Sequence, residues 1–148
     1  MTDTFDLSRF QAAQDPLYDQ VRRELAAGAK RSHWMWFVFP QLAGLGMSPM
    51  ARRYALASRD EAQAYLQHAV LGARLLECTA LVLAVQGRTA NDIFGSPDDI
   101  KFRSCMTLFA EVGDPSGAFR DALRRYFDGK PDGRTLALLN AGPAARIP

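Results

Sequence analysis

No apolar run in this sequence approaches the roughly 20 residues of a membrane span; the longest, "WMWFVF" from Trp34 to Phe39, falls far short. The opening "MTDTFDLSRF" has neither the basic start nor the apolar core of a signal peptide, so a cytoplasmic location without a membrane partner is expected. Cysteine and histidine are scarce: Cys78, Cys105, His33 and His68, with no CxxC and no usual metal-ligand spacing. That argues against a disulfide scaffold or a zinc module, so the thiols read as free and no metal or cofactor is expected. Net charge is small too, and +2 does not by itself imply nucleic acid. There is no low-complexity tract, no repeat and no period-2 run with hairpin turn chemistry.

What remains is an ordinary globular composition, 48% hydrophobic and 23% charged over 148 residues, enough for one domain spanning 1–148 with a real core. Helix signals dominate it. Asp15-Pro16 reads as N-cap and N1 ahead of Leu17, Val21 and Leu25, with Gly28 as the stop. "SRDEAQAYLQH" opens with Ser58 and Glu61 in capping-box spacing. From Ala69 to Gly87, Leu71, Leu75, Cys78, Val82 and Val85 form one stripe flanked by further apolars, which predicts a central helix buried on most sides.

"SPDDIKFRSCMTLFAEVG" predicts a helix capped by Ser96 with Pro97 at N1 and Phe102, Cys105, Met106 and Phe109 inside. "DPSGAFRDALRRYFDGK" predicts another, and a short last helix is expected around "GRTLALLNAG". The fold class expected is all-α, with about six to eight helices. "WMWFVF" could pair as a buried strand, but no partner strand exists elsewhere; Ser32 and Pro40 bracket a short helix or turn instead.

Through "KRSHWMWFVFPQLAGLG" and "GSPDDIKFRSCMTLF" the chain resembles the uncharacterised DUF1810 domain family, from "RFQAAQ" to "GRTLALLN". The resemblance implies a compact all-α fold of about this size and no established activity. A serine often stands in the family where this chain has Cys105, which argues against that thiol as a nucleophile. Some members carry the label "calpastatin". An inhibitor of that type wraps its target as a disordered segment, whereas apolar residues in helical stripes describe a folded domain.

Three constellations could carry chemistry. In the aromatic stretch, Trp34, Phe37 and Val38 are expected in the core, each worth roughly 1.5–3 kcal/mol of burial. Buried indole N–H and imidazole groups need polar partners, so core filling does not account for Trp36 and His33. The functional reading is a pocket where Trp34 or Trp36 stacks on a planar ligand and His33 is the acid/base. Next, "LAGLGMSPMARR" sends a glycine loop into a helix carrying Arg52 and Arg53, one recipe for holding an anion, although Pro49 removes a donor. Residues 28–59 hold five cations and no acid before Asp60.

The third is "PDDIKFRSCMTLF". On a helix Lys101 and Ser104 share a face, with Arg103 on the neighbouring one. Asp98–Lys101 and Asp99–Arg103 can pair, which explains the charges structurally. The functional reading makes Lys101 and Arg103 anion clamps and Asp98 an acid or base, with the ligand approaching the helix from its side. The expected partner is therefore a small anionic and aromatic molecule such as a nucleotide. The alternative is a non-catalytic protein- or nucleic-acid-binding module anchored by the aromatic segment, its protein partner unknown and nucleic acid ranked last.

Overall fold

The computed structural model describes residues 4–145, with side chains through residue 141. Its described residues form ten helices rather than six to eight, and no strand. In order these are α1 (Ser8–Gln14), α2 (Tyr18–Ala26), α3 (Met35–Val38), α4 (Pro49–Arg53) and α5 (Arg59–Gln67). They continue with α6 (Leu71–Ala84), α7 (Ala90–Phe94), α8 (Asp98–Val112), α9 (Ala118–Phe127) and α10 (Gly133–Ala145). Four of the ten, α1, α3, α4 and α7, have fewer than eight residues, and short helices of this kind lack the periodicity that makes longer ones legible. None is long and apolar enough by itself to cross a membrane.

The central element is α8, not α6. Nine residues of α8 are buried against six of α6, and α8 packs on α5, α7, α9 and α10. Its sequence conceals this because Ser104 and Thr107 interrupt the apolar pattern. Both hydroxyls donate to the carbonyl one turn back, Ser104 to Ile100 at 3.2 Å and Thr107 to Arg103 at 2.9 Å, so both are buried without an orphaned donor. Phe102 is the hub of an aromatic cluster, with ring centroids 5.0 Å from Phe39 and 4.7 Å from Phe94.

Several ends differ in detail from the sequence signals. Ser96 does not cap α8; the Ser96–Pro97 bond is cis and the helix begins one residue later, at Asp98. Asp15-Pro16 lies in the turn before α2, whose N-cap position is Leu17. Ser58 accepts from the Glu61 N–H, while the Glu61 carboxylate turns to the Ala57 N–H instead of closing the box. A complete capping box forms at Thr89 and Asp92 of α7. His68 accepts from the N–H groups of Val70 and Leu71 through Nδ1 and so starts α6. Gly72 is required there: a Cβ would fall 2.0 Å from the Leu66 carbonyl oxygen.

"WMWFVF" is the short helix α3 followed by Phe39 and Pro40. Ser32 does not cap it; its hydroxyl donates to Glu24 of α2 at 2.6 Å. That carboxylate anchors the segment, accepting also from the N–H groups of Arg31 and Ser32, the Trp34 indole N–H at 2.9 Å and the Gln20 amide. Burial alone would push the Glu24 carboxyl up, but these hydrogen bonds, led by that from Ser32, overcome it and hold the group at about 2.

Candidate functional site

The chain from Gln41 to Leu56 leaves the core and returns to it. A parallel bridge closes the excursion at its base, Leu56 N–H donating to Gln41 and Ala43 N–H to the Leu56 carbonyl. Within it, the Leu45–Gly46 turn folds tightly onto α4; a Cβ on Gly46 would sit 2.7 Å from that of Ala51. The turn thereby faces the side of α8 across a cleft of about 200 Å³. Gln41, Leu45 and Gly46 form one wall, and Pro97, Ile100, Lys101 and Ser104 the opposite one.

Asp132 and Arg134, at the start of α10, complete the cleft. Asp132 holds this end in place. Its Oδ2 accepts from Ser104 of α8 and from the Thr135 N–H at 3.0 Å, and its own N–H donates to Thr107. Its other oxygen, Oδ1, accepts from no described residue. Arg134 is exposed and makes no ion pair with a described residue, so its charge faces solvent and the cleft.

Beside the cleft the two segments singled out in the sequence do meet. Lys101 Nζ lies 5.5 Å from the Trp36 ring centroid and 3.6 Å from Asp98 Oδ1. Lys30 bonds the other Asp98 oxygen at 2.9 Å and lies 5.1 Å from the Trp34 ring centroid. Asp98 is thus bracketed by two ammonium groups. Trp34 is fully buried and offers no face to a ligand; Trp36 is half-buried with Lys101 over its ring.

The other candidates lie apart from the cleft walls. Arg103 donates to the Lys130 and Pro131 carbonyls, tying down the loop before α10 rather than pairing with Asp99. Arg52 and Arg53 are exposed on α4, Arg53 leaning on Tyr54. At the N-terminus of this five-residue helix the Ser48 hydroxyl already takes the Ala51 N–H. His33 is exposed, and its side chain makes no hydrogen bond or ion pair with a described residue. His33→Ala is therefore expected to leave stability within about 0.5 kcal/mol of wild type, checked by urea denaturation.

Ser104 and Lys101 thus belong to the cleft, together with Gln41, Asp132 and Arg134, which the sequence did not flag. Asp132 had a signal, an Asp three residues before Thr135 at the head of an apolar run. Gln41 and Arg134 had none. Neither thiol is a nucleophile at neutral pH: burial pushes Cys78 up to about 12 and Cys105 well above its ordinary value. Among the described residues no three His, Cys, Asp or Glu side chains are placed to hold a metal ion.

The fold is close to that of a known crystal structure, the conserved hypothetical protein Rv1873 from Mycobacterium tuberculosis. The two chains share 59% identity with a TM-score of 0.92, over 93% of this chain and 99% of that one. No protein of curated function matches. A family model described as "Protein of unknown function (DUF1810)" matches residues 4–139, nearly the whole length. The chain belongs to the DUF1810 family.

Proposed function

We propose that this protein binds a small anionic molecule in the cleft between the Gln41–Gly46 wall, the side of α8 and the start of α10. One observation carries the reading: the glycine turn and the α8 side chains, more than fifty residues apart in sequence, converge on one concavity that is also lined by Arg134, whose charge pairs with no described residue. Lys101 adds a second cation, and Leu45, Pro97 and Ile100 supply apolar wall, the usual mixture of a ligand site. Approach from the side of α8 avoids the acids of its first turn, Asp98 and Asp99.

The test is thermal shift with inorganic phosphate, simple carboxylates and nucleotides as probes. A probe at 100 times its Kd is expected to add about 2.7 kcal/mol of stability, on the order of 5–10 °C in Tm for a domain of this size. The shift should vanish in Lys101→Ala/Arg134→Ala. No shift with any probe overturns the reading.

A second reading rests on a separate observation. Met47 (71% exposed), Ile100 (59%) and Met50 (36%) are the exposed large hydrophobics among the described residues; Ile100 lines the cleft and Met47 follows its Gly46. Methionine-rich surfaces adapt to protein partners. A flat thermal-shift panel, with a partner retained by the wild type and lost on Met47→Gln/Ile100→Ser, would favour that module over the anion site.

A further inference from the structure

We infer that the ligand of this cleft is a small polyhydroxylated anion, a sugar phosphate or sugar acid, rather than a nucleotide; the inference rests on the binding reading above. Four observations lead there. First, none of the described residues lining the cleft is aromatic, so none offers a face to a base: Trp34 is buried and Trp36 has Lys101 over its ring.

Second, the cleft is not uniformly positive. Asp132 lies in it beside Lys101 and Arg134, and its Oδ1 is unused by any described residue. A carboxylate there repels a bare anion, but it accepts strongly from hydroxyl groups carried on the same ligand. The Gln41 side chain, which lines the opposite wall, can both accept from and donate to hydroxyls. Two cations with one carboxylate between walls of mixed polarity suit a molecule that is anionic at one end and hydroxylated at the other.

Third, size is restrictive. About 200 Å³ lies below the roughly 300–1,000 Å³ of sites that enclose drug-sized ligands, so a dinucleotide would not fit within it. Fourth, Leu45, Pro97 and Ile100 give a narrow aliphatic edge, against which the C–H face of a sugar ring can lie without a stacking partner.

The experiment is calorimetric titration of the full chain with ribose 5-phosphate, glucuronate, methyl phosphate, acetate, ribose and AMP. Ribose 5-phosphate is expected to bind at least about tenfold tighter than methyl phosphate, or glucuronate than acetate, with ribose alone undetectable. Whichever hydroxylated anion shows the gain identifies phosphate or carboxylate as the preferred head. Asp132→Asn keeps an α10 N-cap, since asparagine caps about as well as aspartate. It should shrink the gain to under about threefold without weakening methyl phosphate or acetate. Gln41→Ala, which keeps the backbone carbonyl that accepts from Leu56, should shrink it in the same direction and serves if the Asp132 variant fails to fold.

Equal affinity for the hydroxylated and hydroxyl-free anions would overturn the sugar inference while leaving the small-anion reading standing. AMP binding about tenfold tighter than ribose 5-phosphate would overturn it in favour of a base subsite. Absence of binding by every anion would remove both.

Discussion

Glu24→Ala is expected to destabilise the protein by about 3–5 kcal/mol, a fall in Tm on the order of 10 °C. The carboxylate is buried and accepts from Gln20, Arg31, Ser32 and Trp34, two of these being backbone N–H groups. Alanine would strand these donors, including the indole N–H of a tryptophan with no solvent exposure. Water can enter the exposed side near Arg31, but not at Trp34, so the full penalty of an unmade bond falls there. Thermal denaturation of the variant measures the loss; a Tm within 2 °C or so of wild type would mean the anchor is dispensable.

The same group makes a pH prediction. Its folded value of about 2 lies below the usual 4.5, so the folded state binds the proton more weakly than the unfolded chain. The stabilisation is complete above the unfolded value and is lost as pH falls from about 4.5 through about 2. At 1.36 kcal/mol per pKa unit the total is roughly 3 kcal/mol. Glu24→Gln should therefore be less stable than wild type near neutrality and converge on it in acid. Parallel Tm profiles for the two proteins down to about pH 2.5 would refute the assignment of that acid loss to Glu24.

The second large effect is expected at Arg9 and Glu61. They pair at 3.0 Å with side chains 16% and 4% exposed, and Arg9 also donates to the carbonyls of Phe5, Asp6, Arg53 and Ala55. One guanidinium thus ties the start of α1 to the chain entering α5. Removing one partner of a buried pair leaves the other charge uncompensated, so Glu61→Ala or Arg9→Ala should each lose about 3–5 kcal/mol. The double variant should lose clearly less than the sum, because the second deletion no longer strands a charge. Additive losses in urea denaturation would show that the two residues act separately.

Both anchors leave a trace in the sequence, and a physical reason hides the role of each. Glu24 follows Val21 by three residues and precedes Leu25, so it lies on the inward face of α2, where a charge needs a partner. Its partners are ten residues away or less, yet they come from an irregular turn whose geometry periodicity does not describe. Glu61 stands at capping-box spacing from Ser58; that local explanation suffices in the sequence and hides the ion pair with a residue fifty-two positions earlier. The same locality conceals α8. Two hydroxyl residues in an apolar helix look like a solvent face until their back-bonds to Ile100 and Arg103 are seen.

For the cleft, Lys101 and Ser104 are legible in the sequence because both lie on a helix face whose spacing can be read directly. Arg103, between them in sequence, turns toward the loop before α10, a choice that depends on where that loop runs.

What the sequence determined by itself is the all-α class, the longer helices and most of the residues inside them. Helical order is local: bonds between residues four apart and apolar spacing of three to four are written in consecutive positions. Which helix became central, and which side chains meet at the cleft, the tertiary structure alone decided. Gln41, Lys101, Asp132 and Arg134 converge because Leu42 pairs with Leu56 and Asp132 pins α10 to α8. Those contacts span fourteen to twenty-eight residues, and close packing around a shared core, with no periodicity to announce it, selects them.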